Sequence, residues 1–207
     1  MSFWETAEWN PVTALSDQFT VVAMDQRNAG ASTAPITAAD GWETYTADHI
    51  ALMDYLGFDA FHVLGGCIGG PYCMGAIAAA PQRVAAAVLQ QTIGTDANRD
   101  AFYEMFDSWA EPLAQTRDDV DAKDLPSFCS NMYNHDFILS VDRDFVAKCQ
   151  TPMLVLMGSD LYHPESTSRE VAELAPNAHL LENWKAPKEI AGTVSAIKDF
   201  LNANTPG

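Results

Sequence analysis

The stretch Phe61–Gly70, FHVLGGCIGG, decides the fold, because in it an apolar run breaks into glycines around one cysteine. The run predicts a strand, and the small residues 71–80 that follow predict a helix. A strand therefore turns sharply into a helix, with Cys67 at the corner. Such a corner strains the backbone of its middle residue, so the positions two before and two after it should be small. Here they are Gly65 and Gly69.

In two further segments an apolar run is followed by a turn with glycine and a carboxylate. The turn DQRNAGAS, residues 25–32, follows the apolar run Phe19–Met24, which is expected to be a strand. The segment TPMLVLMGSD, residues 151–160, is an apolar strand that ends in a glycine and an aspartate. With the corner around Cys67, these segments resemble the α/β-hydrolase family. The corner is similar to that family's nucleophile elbow, with cysteine where serine is usual.

The resemblance implies an α/β fold, a three-layer α/β-hydrolase sandwich around a mostly parallel sheet with a small helical lid inserted. The core is expected at residues 1–93 and 151–207 and the lid at 94–150, where scattered aromatic residues interrupt the pattern. The family's first strands and its His-Gly loop have no counterpart before residues 2–15, which are expected to be helical. The sequence therefore resembles an N-terminally truncated member. A sheet edge left open in this way is expected to be covered by a second copy of the chain.

The family's catalytic positions are filled only in part. Cys67 is the expected nucleophile, and a neighbouring helix N-terminus is expected to lower the pKa of its thiol. The alternative is a cysteine that merely fits a tight turn. Ile68 is expected to supply one oxyanion donor through its backbone N–H, the second belonging to the absent loop. Asp160 occupies the position of the family's triad acid.

The base is where the sequence departs from the family. The loop in which the family carries its histidine corresponds here to Glu182–Pro187 and contains none. His163, three residues after Asp160, is the proposed replacement and is expected to reach Cys67. A thiol also depends less on a base than a hydroxyl does. The alternative is a solvent-exposed turn histidine ahead of Pro164.

Two classes of function remain open. The first is a hydrolase that acts on an ester, thioester or lactone through a cysteine acyl-enzyme, or an acyltransferase of the same fold. The second is a catalytically impaired member or fragment that binds a small molecule or a partner. The glycines around Cys67 favour the first class, because a binding protein does not need a strained corner. The missing histidine and loop favour the second.

Composition excludes several other functions. The net charge of -17 argues against nucleic acid or an anionic membrane as a partner, so the expected partner is a small-molecule substrate. A chain of 207 residues that is 48% apolar suits one packed domain. Neither a membrane-spanning run nor a signal peptide is visible, which predicts a cytoplasmic protein. The scattered histidines and cysteines predict no metal site and no disulfide framework, and no cofactor is expected.

Overall fold

The structure, a computed structural model, describes residues 4, 7 and 9–207, and within them the strands form one parallel sheet. The strands lie side by side in chain order, β1 to β4. All three neighbouring pairs are parallel, so each connection must cross from one end of the sheet to the other. In sequence the strands are β1 Phe61–Gly66, β2 Val84–Gln90, β3 Met153–Leu156 and β4 Ala178–Leu181.

Helices make these crossings and cover the sheet. Over the described part of the chain they are α1 Pro11–Leu15, α2 Trp42–Leu56, α3 Gly69–Ala79, α4 Arg99–Thr116, α5 Leu125–Tyr133, α6 Arg143–Lys148, α7 Glu165–Leu174 and α8 Ile190–Ala203. Apolar residues at helical spacing over Trp42–Leu56, followed by Gly57, predict a helix there, and the structure confirms it. Gly57 ends this helix in the left-handed conformation that favours glycine. Of the helices that the structure describes, none has the length and apolar character needed to span a bilayer.

The two faces of β2 show how the layers are built. Ala87 and Leu89 point to one face and belong to a core cluster with residues of α3 and α7. Ala86 and Val88 point to the other face and pack with residues of α1 and α8. Because alternate residues of a strand face opposite sides, both faces of the sheet are buried under helices. The predicted three-layer α/β sandwich is confirmed.

The outer edge of β1 differs from expectation. The segment Phe19–Met24 was expected to be a strand and is not one, because no described strand takes its backbone hydrogen bonds. It packs on the sheet instead, with the Phe19 ring 6.0 Å from the His62 ring. Of the helix expected over residues 2–15, the structure shows Pro11–Leu15, while residues 2, 3, 5, 6 and 8 lie outside the described part. That a second copy covers this edge stays a prediction.

The segment 94–150, between β2 and β3, holds helices α4, α5 and α6. Its side chains join those of α2 and α3 in one group, here called the aromatic cluster. Its aromatic members are Trp42, Tyr45, Tyr72, Phe102, Phe106, Phe128 and Tyr133, all buried. Cys67 and Ile68 pack against this cluster, so it lies directly beside the corner after β1. The assignment of segment 94–150 as a lid stays a prediction.

Candidate active site

Cys67 lies between β1 and α3 in a strained backbone conformation. Its φ angle is +58°, in the left-handed region, which costs a residue other than glycine about 1–3 kcal/mol. Three backbone hydrogen bonds hold it there. The Cys67 N–H donates to the Gln90 carbonyl over 3.0 Å, and the Cys67 carbonyl accepts from Gly70 at 3.1 Å and Ile93 at 3.2 Å. The corner is thus fixed to the end of β2.

The two glycines of the corner have different roles. A Cβ on Gly65 would lie 2.1 Å from the carbonyl oxygen of Gly69, far inside van der Waals contact. A Cβ on Gly69 would meet no atom within 4 Å. The prediction that both positions must be small therefore holds for Gly65 and is wrong for Gly69. What the fold needs from Gly69 is the close approach of its backbone to Gly65.

The surroundings of the Cys67 sulfur favour the thiol over the thiolate. Burial raises the pKa of Cys67; a hydrogen bond from the Ile68 backbone N–H lowers it, and the negative charge of Asp160 raises it further. The expectation of a lowered pKa is wrong, because desolvation outweighs the helix N-terminus. At neutral pH this cysteine needs a base to become a nucleophile.

His163 and Asp160 form a close pair in the loop after β3. The Nδ1 atom of His163 lies 2.7 Å from Oδ1 and 2.9 Å from Oδ2 of Asp160. Oδ1 also accepts from the backbone N–H groups of Tyr162 and His163, at 3.0 and 3.1 Å. Burial raises the pKa of Asp160, but the hydrogen bonds and charge of His163 outweigh it and the pKa is lowered. The carboxylate is therefore ionised at neutral pH and orients the imidazole.

This pairing fixes which nitrogen of His163 can act as a base. In the neutral imidazole Nδ1 carries the proton, because it faces a carboxylate, and Nε2 is left with a free lone pair. Nε2 is buried and has no hydrogen-bond partner within the described residues. The His163 side chain is only 12% exposed, so the alternative of a solvent-exposed turn histidine is wrong. The geometry is that of a histidine held ready by its acid.

Two residues that the sequence reasoning missed hold this loop in place. Gly158 allows its close approach, because a Cβ there would lie 2.3 Å from the carbonyl oxygen of His163. Asn98 is buried, and its amide Nδ2 donates to the carbonyls of Leu161 at 2.7 Å and Gly94 at 3.0 Å. Gly158 could have been found from the sequence, because it is a glycine at the end of a predicted strand. Nothing in the sequence indicated the role of Asn98.

The sheet brings these groups to one edge. Cys67 follows β1, the Asp160–His163 pair follows β3, and β2 pairs with both strands. Because the strands are parallel, their carboxyl ends lie at the same edge of the sheet. The negative charge of Asp160 also raises the pKa of the Cys67 thiol, which agrees with their lying at the same edge of the sheet. Among the described residues no hydrogen bond joins Cys67 to His163.

Solved structures share this fold. A meta-cleavage product hydrolase from Pseudomonas fluorescens has a TM-score of 0.68 and 19% identity, over 94% of this chain and 84% of that one. An enol-lactonase from Burkholderia xenovorans has a TM-score of 0.66 and 22% identity, over 94% of this chain and 86% of that one. At these identities the likeness concerns the fold alone.

Sequence comparison gives a shorter match and a family. A soluble epoxide hydrolase from a Corynebacterium strain is 42% identical over 64 residues, which make up 30% of this chain and 22% of that protein. The match thus spans less than a quarter of the relative's length. The family model described as alpha/beta hydrolase fold matches residues 2–148, more than half of the chain. The chain therefore belongs to the α/β-hydrolase fold family.

Proposed function

We propose that this protein hydrolyses an ester, thioester or lactone through an acyl-enzyme on Cys67. The observation that carries the proposal is the Asp160–His163 pair, which leaves a buried Nε2 without a partner at the same sheet edge as a cysteine in a strained corner. Because the pKa of the Cys67 thiol is raised, the reaction needs a base, and we assign that role to His163. The names of the two structural neighbours, a meta-cleavage product hydrolase and an enol-lactonase, agree with this class of reaction.

The reaction has two halves. His163 Nε2 takes the proton from the Cys67 thiol, and the sulfur attacks the carbonyl carbon of the substrate. The bond to the leaving group breaks, and the leaving group takes the proton from the imidazolium. Water then loses a proton to His163 and attacks the thioester, which releases the acid and restores the thiol. If an alcohol or thiol replaces water, the same acyl-enzyme gives an acyltransferase.

The sulfur nucleophile also favours carbonyl substrates over epoxides, the compounds named in the soluble epoxide hydrolase of the Corynebacterium strain. Attack of the Cys67 thiolate on an epoxide carbon would open the ring and form a thioether. A thioether has no carbonyl for water to attack, so the enzyme would stop after one event. A thioester can be hydrolysed. Cys67 therefore favours esters, thioesters and lactones, and an epoxide serves as a covalent probe.

The surroundings of Cys67 suggest how the substrate is held. The aromatic cluster forms an apolar wall beside the corner, suited to the acyl or leaving group. In the proposed enzyme the segment 94–150 acts as the lid that carries part of this wall. The sequence-based placement in the cytoplasm belongs to the same proposal.

A second candidate is a member of the fold that binds a small molecule without turning it over. Two observations favour it: the pKa of Cys67 is raised, and no hydrogen bond links Cys67 to His163 within the described residues. Catalytic hydrogen bonds are often long in the absence of substrate, so the geometry alone leaves both candidates standing. A kinetic experiment separates them.

The experiment is hydrolysis of a short activated aryl ester, followed well beyond one equivalent because any accessible thiol can react once. We expect sustained turnover that Cys67→Ala abolishes and Cys73→Ala, a change at another cysteine near the same corner, preserves. His163→Gln should reduce turnover by about 10²–10⁴-fold, while His179→Gln, at an exposed strand position, should not. An acyl adduct on Cys67 should be visible by mass spectrometry. Turnover that survives Cys67→Ala would refute the proposal, and no turnover by folded protein would favour the second candidate.

A further inference from the structure

The proposed reaction needs more than one hydrogen-bond donor for its oxyanion. Negative charge develops on the carbonyl oxygen as the Cys67 sulfur attacks, and preorganised donors stabilise it. The Ile68 backbone N–H, which already faces the sulfur, supplies one donor. The described residues hold no loop of the kind that was expected to supply the second.

Three tyrosines lie in the aromatic cluster against which Cys67 and Ile68 pack. Tyr45, Tyr72 and Tyr133 are 5%, 8% and 4% exposed. A buried phenol hydroxyl normally has a hydrogen-bond partner, because leaving it without one costs free energy. The partners of these three hydroxyls therefore show which of them is available to a ligand.

The hydroxyls of Tyr45 and Tyr72 form a hydrogen bond with each other. Burial raises the pKa of Tyr45 to about 12, and a hydrogen bond from the Tyr72 hydroxyl acts in the opposite direction. Burial raises the pKa of Tyr72 as well, and donating that bond raises it further. The rings lie 5.0 Å apart, which agrees with this pairing. Tyr72 therefore uses its proton in this bond. Tyr45 accepts the bond and keeps its own proton, but the charged groups that act on Tyr45 are Asp40, Arg27 and Asp48, whereas Cys67 acts on Tyr133.

Tyr133 has no such partner. Within the described residues its hydroxyl makes no hydrogen bond. Its ring is nevertheless fixed, since it stacks on Phe102 with centroids 5.5 Å apart and an interplanar angle of 2°. Trp42 meets it edge-on at 6.4 Å. A rigid donor that has no acceptor among the described residues fits a ligand oxygen.

Tyr133 belongs to the aromatic cluster against which Cys67 and Ile68 pack. Burial raises its pKa well above the usual value, and electrostatic interactions with Tyr45, Cys129 and Cys67 raise it further, which agrees with this placement. The hydroxyl therefore stays protonated throughout the range in which an ester is stable. It can donate a hydrogen bond but cannot act as a base.

We infer that the Tyr133 hydroxyl donates to the carbonyl oxygen of the acyl group on Cys67 and is the second oxyanion donor beside the Ile68 N–H. The inference rests on the proposed acyl-enzyme. It assigns a catalytic role to a residue at the end of α5, in the segment between β2 and β3.

The test compares Tyr133→Phe with Tyr103→Phe. Tyr133→Phe keeps the ring on Phe102 and removes only the hydroxyl, so we expect kcat for the aryl ester to fall by about 10²-fold with little change in KM. Tyr103 is the matched control, since it lies on α4 and its hydroxyl already donates to Asn134. Tyr103→Phe should keep turnover within about twofold of wild type.

A second readout separates an oxyanion donor from a residue that only shapes the site. Alkylation of Cys67 by iodoacetamide is a displacement at a saturated carbon and develops no oxyanion. Its rate should be the same in Tyr133→Phe and wild type. Wild-type turnover in Tyr133→Phe would overturn the inference, and so would equal losses of turnover and alkylation. Either result leaves the proposed function standing, whereas absence of turnover in the wild type would defeat the proposed function and this inference with it.

Discussion

The corner around Cys67 gives a sharp prediction, because two glycines of similar appearance respond differently to the same change. In Gly65→Ala the new Cβ would lie 2.1 Å from the oxygen and 2.3 Å from the carbon of the Gly69 carbonyl. Real Cβ atoms essentially never come closer than 3.0 Å, and the atoms they meet here are backbone, which cannot rotate away. The chain must therefore move by about 1 Å at a buried position, which typically costs about 1–3 kcal/mol.

Gly69→Ala should stabilise the protein slightly instead of destabilising it. Its Cβ would meet nothing within 4 Å, and Gly69 is the first residue of α3 with no positive φ. Alanine there restricts the unfolded chain without straining the folded one, which stabilises by about 0.4–1 kcal/mol. For a protein of this size about 1 kcal/mol changes the Tm by about 2–4 °C. We therefore expect Gly65→Ala to melt about 2–12 °C below wild type, and Gly69→Ala at or slightly above it.

Thermal unfolding by circular dichroism, with urea unfolding as a check on the slope, measures both variants. The alkylation rate of Cys67 reports separately whether the corner has moved. Gly65→Ala with wild-type stability would refute the reasoning, because the clash would then have been relieved at no cost. An equal loss in both variants would also refute it, since a merely tight corner would penalise either alanine.

Four further predictions concern the loop after β3, the N-terminal packing and the sheet edge. In Gly158→Ala the new Cβ would lie 2.3 Å from the His163 carbonyl oxygen and should displace it. We expect kcat to fall by about 10²-fold, with a smaller effect on stability, and an unchanged kcat would contradict this. The pKa of Asp160 is lowered in the folded protein, so its ionised carboxylate stabilises the fold above about pH 4, and this stabilisation is lost as the pH falls through the pKa of the folded state. In urea titrations, the free energy of unfolding of Asp160→Asn should therefore fall less than that of wild type between neutral pH and about pH 3. Trp9→Phe removes the 2.9 Å hydrogen bond that Trp9 Nε1 donates to Oε1 of the buried Gln90, and should lower the free energy of unfolding by about 1–3 kcal/mol. A urea midpoint equal to that of wild type would contradict this and show that the Gln90 amide finds another partner. Gel filtration should show an assembly that covers the open edge of β1, and a stable monomer would count against that prediction.

The fold was largely readable from the sequence because its central strands are buried on both faces. The segment Val84–Gln90, apolar except for its last residue, predicts a strand buried in a parallel sheet, and the structure has β2 with these bounds. The helix over Trp42–Leu56 could be predicted because its apolar spacing and the following glycine both indicate it. Phe19–Met24 has the same apolar composition but forms no strand. The composition of a segment indicates that it can form a β-strand, but it does not show whether an adjacent strand is present to share hydrogen bonds with it.

The candidate site was readable in part. Cys67, Asp160 and His163 could be named because each follows a strand at a fixed place in the chain, and parallel strands bring such residues to one edge. The pKa of Cys67 was misjudged, since desolvation depends on side chains distant in sequence. Tyr133 could not be distinguished from the other aromatic residues of segment 94–150. Its role depends on a hydroxyl left unpaired, which is a property of three-dimensional packing.

The Asn98 amide joins two parts of the molecule that the chain keeps far apart. It lies immediately before α4, and through Leu161 it holds the turn that carries Asp160 and His163. One side chain therefore joins the start of α4 to the loop after β3. If segment 94–150 is the proposed lid and His163 the proposed base, the lid can move at this point only by breaking that hydrogen bond or by carrying the turn with it. Entry of the substrate and alignment of the base would then be coupled.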